Sequence, residues 1–102
     1  FGDRVYVYGS HDYYNGYVFC MGDYVGWSAP VDDLGNWRYE GVIYEKTADP
    51  LNKDGKMCLY APDITMGPDG RYYLYYVLDK VSLVSVAVSD SPSVFFLWLC
   101  KR

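Results

Sequence analysis

The sequence predicts an all-β, antiparallel fold, and three observations carry that expectation. Short runs of β-branched and aromatic residues recur along the chain, the composition that suits a pleated, half-buried strand. Between them lie clusters such as Tyr14-Asn15-Gly16, Leu34-Gly35-Asn36 and Asp69-Gly70, whose residues accept the backbone conformations that tight turns require. No segment sustains a helical period.

The runs follow one another in order. "RVYVYGS" (4–10) opens the chain and is followed by "YVFCM" (17–21) and "YVGWSA" (24–29). After the acidic turn at Asp32-Asp33 comes "WRYEGVIY" (37–44), where Trp37 reads as packing at the start of an outer strand. "YAPDIT" (60–65) then turns through Gly67-Pro68-Asp69-Gly70 into "RYYLYYV" (71–77), and "VSLVSVAVS" (81–89) completes the regular series. The apolar run Phe95 to Leu99 suits one more, outer strand. The acidic pairs Asp32-Asp33 and Asp49/Asp54 read as solvated turns, because their spacing lacks a full calcium ligand set.

An internal echo organises these strands. "GDRVYVYG" from Gly2 resembles "DGRYYLYY" from Asp69, and each leads to a strand that ends in an acidic turn, "SAPVDDL" and "AVSDSP". A repeated meander is how a β-propeller is written, since each blade hides its faces only by stacking on its neighbours. The expected architecture is therefore an incomplete β-propeller of about two partial blades. One spans about 1–45 and lacks its innermost strand, and the other spans about 58–102. A propeller closes with no fewer than about four blades, so the chain is expected to be a piece of a longer protein or the product of a truncated gene. A small β-sandwich is the rival, and the repeat offset argues against it.

Composition narrows the function classes. A chain of 102 residues with 51% hydrophobic and 20% aromatic content, including thirteen tyrosines, forms a core rather than a disordered segment. Nine Lys and Arg, scattered singly against a net charge of −4, leave no electrostatic footprint for nucleic acid. No run approaches the roughly 20 apolar residues that span a bilayer, so no membrane partner is expected. Cys20, Cys58 and Cys100 are odd in number and lack metal-type spacing, which argues against a disulfide framework or zinc site and tilts the compartment toward the cytoplasm.

Asp63 is the residue that asks for an explanation. It stands inside the apolar stretch "LYAPDITM", where an unpaired buried carboxylate would cost several kcal/mol. Two readings stay open. Asp63 caps a turn at a strand start, or it is partly wet.

"LYAPDITMGPDGRYYLYY" followed by "VSVAVSDSP", and preceded by "VYVYGSHD" and "WSAPVDDLGNW", resembles glycoside hydrolase family 43. The similarity runs from Phe1 to Pro92. The resemblance implies a five-bladed propeller and hydrolysis, with inversion, of O-glycosidic bonds in xylose- or arabinose-containing oligosaccharides. Partners would be the oligosaccharide and the remaining blades. No organic cofactor is implied, and a central calcium ion is compatible with the full-length parent. The family places a base Asp, an acid Glu and a third Asp at the propeller axis. That third Asp lies in an Ala-Pro-Asp motif on the innermost strand of the second blade, matching Ala61-Pro62-Asp63, which makes Asp63 the modulator of the acid's pKa and its orienter.

The chain departs from the family in two ways. The strand bearing the base should precede "FGDRVYVYG", and Asp3 is no substitute, because it matches the turn residue Asp69 of the second unit. The acid should come from a later blade, whereas Glu40 and Glu45 belong in or just after an outermost strand. As an isolated chain the protein is therefore expected to be inactive. The rival function is a non-catalytic carbohydrate-binding or structural propeller fragment.

Two further residues are candidate sugar contacts. His11 should fall at the active-site rim, where it would hydrogen-bond substrate, although pairing with Asp12 in a turn is the simpler reading of a lone histidine. Tyr60 is the candidate stacking ring. Tyr13, Tyr14 and Trp27 are weaker ones, because most aromatic positions should instead be core between blades.

Overall fold

The computed structural model describes residues 1–10, 22–81, 83–93 and 96–101, the side chains of Cys100 and Lys101 excepted. Among these residues seven strands form two antiparallel sheets. The first contains β1 (Arg4–Gly9), β2 (Tyr24–Pro30) and β3 (Arg38–Tyr44) in the order β1-β2-β3. The second contains β4 (Leu59–Met66), β5 (Tyr72–Leu78), β6 (Ser85–Ser89) and β7 (Leu97–Lys101) in the order β4-β5-β6-β7. Two short 3₁₀ turns, Lys46–Ala48 and Pro50–Asn52, join the sheets. No helix among the described residues is long and apolar enough to cross a membrane.

The fold is the all-β meander pair that the strand runs predict, with "VYVYGS" and "YAPDIT" in different sheets. "YVFCM" lies outside the described residues. The last regular strand is shorter than expected, since β6 begins at Ser85 and Val84 is exposed. A second correction concerns Trp37, which is exposed rather than packed.

The core lies between the sheets. Alternation along β5 turns Leu74, Tyr76 and Leu78 inward and leaves Tyr75 exposed, as the period of a strand dictates. From the first sheet Tyr24, Ile43 and Tyr44 meet them, with Ala87 and Phe96 completing the cluster. Gly26 has a specific job in β2. A Cβ there would stand 3.3 Å from the Ile43 side chain and 3.6 Å from the Tyr8 ring, so glycine lets Tyr8 lie across the sheet.

Tyrosine dominates this interface because its ring fills volume while its hydroxyl reaches a polar partner on the other side. Tyr8 donates to the Pro92 carbonyl at 2.6 Å and Tyr24 to the Tyr60 carbonyl at 2.6 Å. Burial pushes the Tyr8 phenol above its ordinary range. Tyr44 and Tyr76 join hydroxyls at 2.7 Å, and the Tyr76 hydroxyl donates to Asp49 Oδ2 at 2.6 Å. Asp49 is fully buried, which corrects its reading as a solvated turn. Its Oδ1 accepts the Leu51 N–H at 2.8 Å and caps the turn that begins at Pro50. Because Tyr76 gives its only hydrogen to the carboxylate, Tyr44 must be the donor to Tyr76. Burial pushes the Tyr44 phenol up to about 12.

Candidate active-site strand

β4 carries the candidate carboxylate, and its register explains how an acid can sit in an apolar strand. Leu59 pairs with Leu78 and Tyr60 with Val77, but the next pairs are Asp63 with Tyr75 and Ile64 with Leu74. Ala61 and Pro62 together therefore oppose Tyr76, which is a β-bulge. Without the extra residue Asp63 would face Leu74 in the core and Ile64 would face out. With it Asp63 shares the outward face with exposed Tyr75, while Ile64 joins the buried Leu74. A one-residue shift exchanges the two faces of a strand, so the bulge decides where the charge goes.

The bulge is strained. Ala61 has φ of 45°, in the left-handed region where a Cβ costs about 1–2 kcal/mol. Such conformations persist only where their surroundings over-determine them, and they gather at functional sites.

Asp63 itself is exposed, and among the described residues its carboxylate makes no hydrogen bond or ion pair. It does not cap a turn. It borders an open cleft of ≈470 Å³ between β4 and β1, lined also by Phe1, Arg4, Tyr6, Tyr8 and Ile64. The cleft runs along the edge of β1 opposite β2, which no other described strand pairs. At its other end the two strands meet where the Ser10 hydroxyl donates to the Leu59 carbonyl at 3.3 Å. Beside that point the Cys58 N–H donates to Asp79 Oδ1 at 2.7 Å, closing the mouth of the β4-β5 pair.

The structure places Tyr60 and Asp63 on one face of β4. Three apart in sequence, they would ordinarily point to opposite faces, and the bulge puts both on the outward side. Tyr60 is half-buried. His11 lies outside the described residues, as do Tyr13 and Tyr14. Trp27 is exposed on β2, its ring centroid 4.8 Å from that of Tyr39, and belongs to the other sheet.

Glu40 is tied down within its own sheet. Its Oε1 accepts from Ser28 Oγ at 2.7 Å and from Arg38 at 2.8 Å, and Arg4 in turn donates to Ser28 at 3.0 Å. The hydrogen bonds from Ser28 and Arg38 hold its carboxyl below the usual range, the opposite of what a general acid requires. No cluster of three or more His, Cys, Asp or Glu among the described residues could hold a metal ion. Sequence reasoning missed Tyr24, Tyr76 and Asp49. Their signal was the unusual count of tyrosines on strands, which identifies rings but not their hydroxyl partners.

Two adjacent antiparallel meander sheets are the arrangement of neighbouring blades in a β-propeller. The chain belongs to glycoside hydrolase family 43, and comparison with known proteins carries that assignment. It is 75% identical over 93 residues, 91% of its length, to a xylosidase/arabinosidase of Thermoclostridium stercorarium, and spans 20% of that relative. Among solved structures it is similar to a family 43 β-xylosidase/α-arabinofuranosidase from a compost microbial metagenome in complex with xylotriose. That match has 31% identity, a TM-score of 0.72, and coverage of 97% of this chain and 32% of that one. A β-1,3-galactosidase of the family shares the fold at 21% identity with a TM-score of 0.81, covering 99% of this chain and 31% of that one. No family profile matches the chain.

Proposed function

We propose that this chain is the part of an inverting glycoside hydrolase that supplies Asp63 to a three-carboxyl site acting on xylose- or arabinose-containing oligosaccharides. One observation carries the reading: a bulge turns Asp63 out of the apolar core onto an edge strand, exposed and with no partner among the described residues. Water can solvate an exposed carboxylate, so what sets Asp63 apart is the strained bulge that places it there. The names of the relatives support the substrate class.

An inverting glycosidase needs one carboxylate to activate water and one carboxylic acid to protonate the leaving oxygen, about 6.5–9.5 Å apart. The acid must keep its proton near neutral pH. A third carboxylate close by achieves this, because a neighbouring negative charge raises the acid's pKa. Asp63 takes that role, and Tyr60 on the same face offers a ring to the sugar. Strands beyond those seen here would contribute base and acid, and one of them would pair with the edge of β1 above the cleft. The domain reading follows: about 1–45 and about 58–102 are two neighbouring partial blades.

The test uses the Thermoclostridium stercorarium relative with this chain grafted over the matched segment. Asp63→Asn should lower kcat on aryl xylosides or arabinosides by about 10²- to 10⁴-fold, the usual range for a proton-transfer contribution. The loss should be greatest at neutral pH and KM should change little. Full activity of Asp63→Asn would refute the role.

A further inference from the structure

The bulge at Ala61-Pro62 is strained, and two tyrosines of the interface between the sheets stand against it. We propose that Tyr24 and the buried Tyr44–Tyr76–Asp49 chain are positioning residues that hold the β4 bulge open and so keep Asp63 on the outward face. The inference rests on the role given to Asp63 above, but the geometry of the bulge is a separate observable.

Two supports meet at the bulge. Tyr76 is the one residue of β5 that opposes both Ala61 and Pro62, and its side chain is pinned from behind by the Asp49 carboxylate and the Tyr44 hydroxyl. Tyr24 reaches across from the other sheet and grips the Tyr60 carbonyl, the last backbone acceptor before the bulge, at 2.6 Å. The Tyr24 ring also lies edge-on to Tyr76 at 6.0 Å and couples the two supports. A regular strand would release the strain at Ala61, but it would slip Asp63 into register with buried Leu74. Tyr24 and Tyr76 stand where they oppose that slip, one by fixing the carbonyl before the bulge and the other by filling the inward space beneath it. The catalytic strand of one sheet is thus set by a side chain of its neighbour, so docking of the two sheets and alignment of Asp63 are one event.

The test reads geometry and kinetics separately. In the full chain, the Ala61 backbone coupling constant measured by NMR reports φ. Tyr24→Phe should move it away from the left-handed value and speed amide exchange at residues 63–65. In the graft described above, Tyr24→Phe should lower kcat by about ten- to a hundredfold, the scale of a misplacement of about 1 Å. It should also shift the pH profile in the same direction as Asp63→Asn, with KM nearly unchanged. Ala61→Gly should partly rescue it, because glycine adopts positive φ without strain. Tyr76→Phe is the second variant and should act likewise.

An unchanged Ala61 φ in Tyr24→Phe overturns the proposal, as does a loss of stability with no movement of the pH profile. A normal pH profile in Asp63→Asn, together with a bulge that collapses in Tyr24→Phe, would refute the role of Asp63 alone and leave the positioning intact.

Discussion

Replacing Asp49 by alanine is the most informative single perturbation of the fold, because the carboxylate serves two elements at once. Its Oδ1 caps the turn at Pro50 through the Leu51 N–H, and removal of such a cap costs about 1 kcal/mol. Its Oδ2 accepts the Tyr76 hydroxyl at 2.6 Å in a fully buried setting. Orphaning that donor costs about 1–3 kcal/mol more. The sum, about 2–4 kcal/mol, is a large fraction of the roughly 5–15 kcal/mol that holds a domain folded. Each kcal/mol lowers the melting temperature of a domain this size by about 4–8 °C, so Asp49→Ala should melt at least about 8 °C below the parent. Asp49→Asn keeps the cap and the volume and should lose about half as much. Urea titration followed by near-ultraviolet circular dichroism measures both, since tyrosines pack at the site. Combining Asp49→Ala with Tyr76→Phe should cost less than the sum of the single changes, because both remove the same hydrogen bond. A change of less than about 0.5 kcal/mol in Asp49→Ala, the range of ordinary surface substitutions, would show that the buried carboxylate is not what ties the linker to β5.

Other consequences can be measured with the same protein. The isolated chain should not hydrolyse aryl xylosides or arabinosides, and detectable turnover would refute its reading as one part of a larger site. Leu74→Ala, at a fully buried position on β5, should cost about 2–5 kcal/mol in denaturant titration. Gly67→Ala would set a Cβ 2.5 Å from the Tyr73 ring and should cost about 1–3 kcal/mol by overpacking, with loss of the Tyr73–Asp69 hydrogen bond visible in a crystal structure. Glu40, held below the usual range by Ser28 and Arg38, stabilises the fold above its unfolded pKa, and that contribution is lost as pH falls through the lower folded value. Melting temperatures of Glu40→Gln should consequently fall less steeply on acidification than those of the parent, and an identical acid slope would disprove the link.

Much of this was legible along the chain. Strand runs, turn clusters and the repeated meander follow from periodicity and local backbone preference, which depend on neighbours in sequence, and they sufficed for an antiparallel all-β pair of sheets. The oddity of Asp63 was equally plain, because a charge in an apolar run stands out without coordinates. Its solution was not. Alternation assigns a face only while the register is regular, and one extra residue at Ala61-Pro62 reverses the assignment for the rest of β4. Asp49 shows the same limit from the other side. Flanked by Ala48 and Pro50 in a linker, it reads as solvated, yet tertiary packing buries it beneath Tyr76, 27 residues away. Which hydroxyl meets which carbonyl or carboxylate depends on how the two sheets dock, a contact between residues distant in sequence. Composition announces the tyrosines, and only the tertiary structure decides that Tyr24 and Tyr76 stand against the bulge.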